Sequence, residues 1–368
     1  MKFVCSKESI LNEVIYSMDF TSQRNSLSVT SNVYLETLDD RLRIRATDQK
    51  VGFSTEIAVH TLEEGKTMVY CDKFLNILRS LPEGNIEFTA SNGIFAIKPE
   101  GQSIDFKLRT INADEFPALE NIGNNSYFTI AQRSFNDMAN QTIFAISEDE
   151  TRYFLCGLYL ERTPTGMTMV GTDGRRLSIV ERKFDEDIPA FSPVIIPPKF
   201  FTVLKKLSTD EGTLKLCITE NIIFAQIAER LFYSTLIKGQ YPNYRRVIPE
   251  SQTYSSIMRI QDMLDALRRV SLLVENKAKR IYLDISEAGI LLTSDENEVG
   301  EAKEIIPCKY EGPENKVSLN FTYLMNPLKT MEGEFFSINF TEPTRAMTIK
   351  SESERDYYHV IMPMQINA

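Results

Sequence analysis

The chain has 368 residues, 51 acidic against 41 basic side chains, a net charge of −10 and 42% apolar residues. That is an ordinary globular balance, long enough for two or three domains and too acidic for a chain coated evenly with nucleic-acid-binding charge. No stretch approaches the roughly 20 apolar residues of a membrane span, and Met1-Lys2-Phe3-Val4-Cys5 lacks the apolar run of a signal peptide, so a cytoplasmic protein without membrane contact is expected. Met1 to Cys5 reads as a strand. Ser6 then caps a helix with Ile10, Leu11, Val14, Ile15 and Met18 on one stripe. Alternating strands follow near 33–38, 41–47 and 51–59. A second helix begins after Cys71, buries Phe74, Leu75, Leu78 and Leu81, and is stopped by Leu81-Pro82-Glu83-Gly84. Strands at 86–90, 94–98 and 103–110 complete the first third.

The same order returns twice. The second third carries the stripes Phe135, Met138, Ala139, Thr142, Ile143, Ile146 and then Phe200, Phe201, Val203, Leu204, Leu207, the latter opened by Pro197-Pro198. The last third has Ile260, Leu264, Leu267, Val270 and then Tyr323, Leu324, Leu328. Pro327 makes that final helix either short and late or kinked. Three landmarks keep one period. Thr47-Asp48, Thr172-Asp173 and Ser294-Asp295 close strand-like runs at spacings of 125 and 122 residues. Phe74, Phe200 and Tyr323 open helices at spacings of 126 and 123, and Phe116-Pro117 precedes Tyr241-Pro242 by 125. So long a period describes small domains, not solenoid units. The expected fold is α+β: three repeated modules at 1–125, 126–250 and 251–368, each with two helices on a mostly antiparallel sheet. Polar stretches at 120–126 and 250–256 mark the joints.

Little in the chain suggests chemistry. Cys5, Cys71, Cys156, Cys217 and Cys308 are scattered and odd in number, which reads as free thiols. His60, at a strand end, and His359, in the terminal strand, have no metal-ligand spacing. Gly65-Lys66-Thr67 resembles the end of a P-loop, but the required first glycine falls on His60 and a strand follows where a helix is needed. Asp173-Gly174-Arg175-Arg176 reads as a turn between strands with its arginines displayed at the tip. No nucleophile with its base, metal cluster or cofactor motif is present, so neither catalysis nor a cofactor is expected. The predicted helical segments 6–20, 72–81, 132–146, 197–207, 258–280 and 320–331 together carry +6, leaving −16 for the rest. Solvated helix faces account for that asymmetry, and so does a nucleic-acid-facing helical layer.

Several strings in fixed order identify a relative: Arg152-Tyr153-Phe154-Leu155 with Gly157, Thr172-Asp173-Gly174-Arg175-Arg176-Leu177, Tyr241-Pro242-Asn243-Tyr244-Arg245-Arg246-Val247-Ile248-Pro249, and Val360-Ile361-Met362-Pro363-Met364. With the triple repeat, they make the chain resemble the bacterial sliding clamp family, the beta subunit of DNA polymerase III, over essentially its whole length. The resemblance implies half of a closed ring: a head-to-tail homodimer that encircles double-stranded DNA without reading sequence. The ring tethers the replicative polymerase, the clamp loader and other proteins bearing a clamp-binding motif. It implies DNA-facing roles for Arg24, Lys73, Arg79, Tyr153, Lys199, Lys205, Lys206, Arg268 and Arg269. It implies a dimer seam of Phe106 and Leu108 against Leu272 and Leu273, although from sequence alone the two leucines would more often be plain core. Glu298, Glu301 and Glu304 would pair with Lys98, Lys107 or Arg109 across that seam.

The resemblance also implies a partner-peptide pocket. Its deep apolar subsite would comprise Leu155, Thr172, Gly174, Arg175, Arg176, Leu177, Pro242, Arg246, Val247, Val360 and Met362. Its shallower one would comprise Arg152, Asn320, Tyr323, Pro363 and Met364. Methionine suits a surface that must accept many peptides. Three features depart from the family pattern: the family commonly has an arginine soon after the last methionine, Ala346 occupies a pocket site that is often polar, and Asp149 stands where a neutral polar group near DNA is usual.

Overall fold

The computed structural model describes all residues except 23–27, 124, 210, 276, 355 and 366–368; Arg24 lies outside the described residues. Among the described residues there are six α-helices: α1 Lys7–Met18, α2 Cys71–Ser80, α3 Gln132–Asn140, α4 Pro198–Leu207, α5 Ile260–Val270 and α6 Phe321–Leu328. Five follow directly on a strand and α4 follows one after a single residue, Pro197, and the local sequence explains the starts. The Ser6 hydroxyl accepts from the Ser9 amide at 3.3 Å, and the Asn320 side chain accepts from the Thr322 amide at 3.0 Å.

Helix ends differ from the periodic reading in three places. The 132–146 stripe stops at Asn140, because the Thr142 hydroxyl donates to the Met138 carbonyl at 2.7 Å and a 3₁₀ turn, Ile143–Ala145, takes over. The 258–280 segment is helical only over Ile260–Val270, since Tyr254–Arg259 is a strand. Pro327 sits in the last turn of a short α6 that begins early, and the helix ends one residue after it. The charge asymmetry shrinks with these corrections. Within the observed bounds α4 keeps a net charge of +3, and the other five helices cancel. His60 opens the strand His60–Glu63 and is exposed. Gly65-Lys66-Thr67 starts the strand Gly65–Tyr70, with Lys66 paired to Asp114.

The chain divides into two compact units. The first comprises Met1–Arg133 with Lys199–Leu236, and the second Ser134–Pro198 with Ile237–Ala368. A thirteen-stranded sheet belongs to the first. Its central pairing joins repeat to repeat: Arg230–Thr235 runs antiparallel to Val51–Ala58, with Leu231 opposite Ser54 and Ser234 opposite Val51. Gly52 permits this approach, for a Cβ there would lie 2.2 Å from the Tyr233 ring. Helices α1 and α2 pack together over a core in which Phe88 stacks on Phe3 and Phe95 while Phe74 meets Phe88 and Phe95 edge-on.

Ion pairs reinforce that junction. The buried Glu13 of α1 takes the Arg230 guanidinium through both oxygens, at 2.6 and 3.0 Å, and the same guanidinium covers the Tyr16 ring at 4.8 Å.

The second unit holds a nine-stranded and a four-stranded sheet. Here the central and last repeats share strands: Arg176–Lys183 pairs antiparallel with Tyr357–Ile361, Arg176 opposite Ile361 and Leu177 opposite Val360. Nothing in local sequence marks these partners, about half the chain apart. Among the described residues no helix is long and apolar enough to cross a membrane.

Replacing Glu13 by Gln should leave the half-buried Arg230 guanidinium without its carboxylate and lower unfolding free energy by about 2 kcal/mol, read from urea denaturation. A loss below about 1 kcal/mol would show that water, not Glu13, satisfies Arg230.

Candidate functional site

The Thr-Asp landmarks are turn-building devices. In both of the first two repeats the threonine hydroxyl donates to the carbonyl four residues on, Thr47 to Val51 at 2.7 Å and Thr172 to Arg176 at 2.6 Å. It also accepts the amide two residues on, from Gln49 and Gly174, each at 3.0 Å. One aspartate oxygen then gathers two amides: Lys50 and Val51 on Asp48 at 2.9 Å, Arg175 and Arg176 on Asp173 at 2.8 and 3.1 Å. The turn needs a positive φ at its third position, supplied by Gln49 at 76° and Gly174 at 87°. In the third repeat Ser294 accepts the Ala302 amide at 3.0 Å across a longer loop, and Asp295 accepts the Tyr282 hydroxyl at 2.8 Å.

The second of these turns forms the rim of a cavity. Its Asp173 holds the Arg176 Nε at 3.1 Å, and the Arg176 guanidinium lies 4.6 Å from the Tyr323 ring and 5.8 Å from that of Phe144. Arg176 is therefore folded back and mostly buried, not displayed at the turn tip; only Arg175 is exposed. Beside it an apolar cavity of about 280 Å³ is lined by Leu155, Thr172, Gly174, Arg175, Arg176, Leu177, Pro242, Val247, Val360 and Met362. The strand pairing brings them together, placing Val360 beside Leu177, and the Met362 amide continues it by donating to the Arg175 carbonyl at 2.9 Å. Of the deep subsite expected from sequence, only Arg246 does not line the cavity, whereas Asn243 and Tyr244 do.

Tyr244 explains how the Pro242–Val247 wall stays in place. Its hydroxyl donates to the buried Glu161 carboxylate at 2.6 Å, Arg245 pairs with the same group, and Tyr159 donates to it at 3.1 Å. Tyr159 in turn stacks on Tyr241 with centroids 4.6 Å apart. Burial alone would raise the Glu161 carboxyl; the Arg245, Tyr244 and Tyr159 hydrogen bonds outweigh it and hold the group below the ordinary glutamate range. A glutamate inside the strand Leu158–Thr163, two residues from Tyr159, was the signal that could have pointed to this wall.

A second, polar cleft of about 310 Å³ adjoins the first across Arg176 and includes Arg152, Asn320 and Tyr323 of the expected shallow subsite. Arg152 is fixed by the Asp149 carboxylate at 3.1 Å and the Asp173 carbonyl at 3.0 Å, which gives the unusual Asp149 a positioning part. Pro363 and Met364 do not line it; the Met364 amide instead donates to the Ser318 carbonyl at 2.7 Å. Ser147, Glu148, Thr322 and Lys279 line the cleft, and the sequence reading missed them. Among the described residues no three His, Cys, Asp or Glu side chains group as metal ligands.

Three family models match the chain in succession: the DNA polymerase III beta subunit N-terminal domain over residues 1–120, the central domain over 129–243 and the C-terminal domain over 245–365. A beta sliding clamp of Treponema pallidum is 38% identical, covering 99% of this chain and 100% of its own. The chain belongs to the DNA polymerase III beta subunit family. The Escherichia coli beta sliding clamp is 27% identical over the whole of both chains. A crystal structure of the beta subunit from Pseudomonas aeruginosa superposes with a TM-score of 0.94 at 26% identity, covering 100% of both chains.

The remaining residues singled out through the clamp family occupy varied surroundings. Lys199 reaches Asp48 at 2.7 Å, and Lys206 reaches both oxygens of Asp19 at 2.6 and 2.9 Å. Arg268 pairs with Asp265 at 2.8 Å, Arg269 with Glu304, and Lys73 lies 3.5 Å from Asp72. Arg79 and Lys205 are exposed, without a carboxylate partner among the described residues, and Tyr153 is exposed. Leu272 is 81% exposed, which rules out the core reading, and shares a surface hollow with Leu273 and the equally exposed Val299. Phe106 is exposed and Leu108 half-buried on the strand Phe106–Ile111. Glu301 pairs with Lys303 at 2.8 Å, and Lys98 and Lys107 both lie near Asp105, so Glu301, Glu304 and both lysines expected to meet across a seam have partners within the chain.

Behind the pocket, His359 is buried against Phe144 and Tyr357. Burial, then the nearby Arg176 charge, lowers its pKa from 6.5 to about 3, so it is neutral when folded. The unfolded chain binds a proton that the folded chain refuses between those values. Stability is therefore complete above about pH 6.5 and falls as pH drops. His359→Leu should remove about 1.5 kcal/mol of the decline between pH 6.5 and 5, measured by urea denaturation at each pH. An unchanged pH profile would mean that the folded protein accommodates the imidazolium.

Proposed function

We propose that this chain is a DNA sliding clamp: a non-catalytic, cytoplasmic processivity factor built from modules 1–125, 126–250 and 251–368. Two copies, joined head to tail, encircle duplex DNA and tether the replicative polymerase, the clamp loader and other motif-bearing proteins. The observation that carries the reading is the succession of three beta-subunit domain models along nearly the whole chain. The apolar cavity beside Arg176 supports a docking role for partner peptides. Its size suits one or two large side chains, each worth roughly 1.5–3 kcal/mol on burial. After the costs of ordering a flexible peptide, exchangeable binding follows. The exposed Leu272 with Leu273, and Phe106 with Leu108, support the two ends of the dimer seam. Ring closure makes strong DNA contact unnecessary, and α4, with its net charge of +3, supplies the densest cationic face.

Clamps loaded onto a nicked circle should stay bound through gel filtration in high salt and be lost once the circle is linearised. Equal retention on both forms would overturn the ring. In the same preparation Val360→Asp should abolish binding of a polymerase-derived peptide while the dimer persists in sedimentation, whereas Leu272→Asp should give monomers that still bind peptide. The reverse pattern would exchange the two sites.

A further inference from the structure

Two of the three α4 lysines expected to meet DNA are not free. Lys199 is held by Asp48 at 2.7 Å, and Lys206 by both oxygens of Asp19 at 2.6 and 2.9 Å. Neither carboxylate lies on α4. Asp48 belongs to the Thr-Asp turn and Asp19 caps α1, so the fold of the first repeat delivers them. Both aspartates are half-buried, at 22% and 28% side-chain exposure, while their lysines are 41% and 51% exposed. Asp48 is fixed further by the Lys50 and Val51 amides. Burial alone would raise its carboxyl, but the Lys199 and amide hydrogen bonds outweigh it and hold the group below the usual range. Lys205, between them on the helix, has no such partner among the described residues.

Resting on the clamp reading, we infer that Asp48 and Asp19 are positioning residues that compete with DNA phosphate for Lys199 and Lys206. A phosphate must displace a preformed carboxylate at each lysine; until it does, each pair is close to neutral at a distance, and the helix offers little to close contact. The duplex is held near the surface and released readily, which suits a protein that must travel along it. The aspartates, not the number of lysines, then set the friction.

The test is binding of the full-length protein to a short labelled linear duplex, followed by fluorescence anisotropy across a salt series. Asn at position 48 keeps the acceptor oxygen that builds the turn and removes the charge. The double variant Asp19→Asn, Asp48→Asn should bind roughly tenfold tighter at low salt, since each variant frees a lysine from a solvent-accessible ion pair. Its plot of log affinity against log salt should steepen by about 0.9 for every additional phosphate neutralised. Glu220→Gln, an exposed carboxylate that holds no α4 lysine among the described residues, should leave the slope unchanged. An unaltered slope in the double variant, with Lys199→Gln, Lys206→Gln weakening binding, overturns the competition while leaving the DNA-facing helix intact. Unaltered binding in both pairs overturns the competition together with the assignment of α4 to DNA. An equal increase from Glu220→Gln overturns it too, since net charge alone would explain the effect.

Discussion

Antiparallel pairing of Arg176–Lys183 with Tyr357–Ile361 is the constraint on which the candidate site depends. It places Val360 opposite Leu177 and Arg176 opposite Ile361, so the turn at Asp173 and the residues around Met362 open on one cavity. A one-residue slip would turn every side chain on the terminal strand to the other face and fill or empty the cavity. Several groups lock the register from below. His359 is buried against Phe144 and Tyr357, and the Tyr357 hydroxyl meets that of Thr330 at 2.7 Å. The wall opposite is held by one buried carboxylate, Glu161, which gathers Tyr159, Tyr244 and Arg245.

The repeat supplies a common frame, and its small departures decide local roles. The Thr-Asp turn is built with the same four hydrogen bonds in the first and second repeats. Its spare carboxylate oxygen faces a lysine of α4 in one and an arginine of its own turn in the other. One scaffold thereby serves a cationic helix in one place and the rim of a cavity in the next. The third repeat keeps the aspartate but lengthens the loop, and a tyrosine hydroxyl takes the carboxylate instead.

Much of this was legible because it is periodic. Strands such as Arg41–Thr47 alternate with Leu42, Ile44 and Ala46 inward, and helix α2 shows its stripe at Phe74, Leu75 and Leu78. The limits of α5 were not, because Tyr254–Arg259 also carries apolar residues that continue a helical count, and sheet pairing decides between the two periods. Most of the apolar cavity was anticipated through resemblance, in strings that stay together in sequence. Asn243, Tyr244 and the polar cleft's Lys279 were missed, since only pairing between distant strands and a loop closed by Glu161 bring them to the site. The ion pairs of α4 were equally hidden: Asp19 lies 187 residues from Lys206, and no local pattern connects them.

Because the cavity takes its floor from two strands of different repeats, any occupant also acts as a clasp between them. A bound segment touching both Leu177 and Val360 must be expelled before the strands can part, so occupancy adds to their cohesion by mass action. A protein engaged with a partner is then mechanically tougher at this seam than an idle one, and the traffic of partners itself regulates how easily the seam yields.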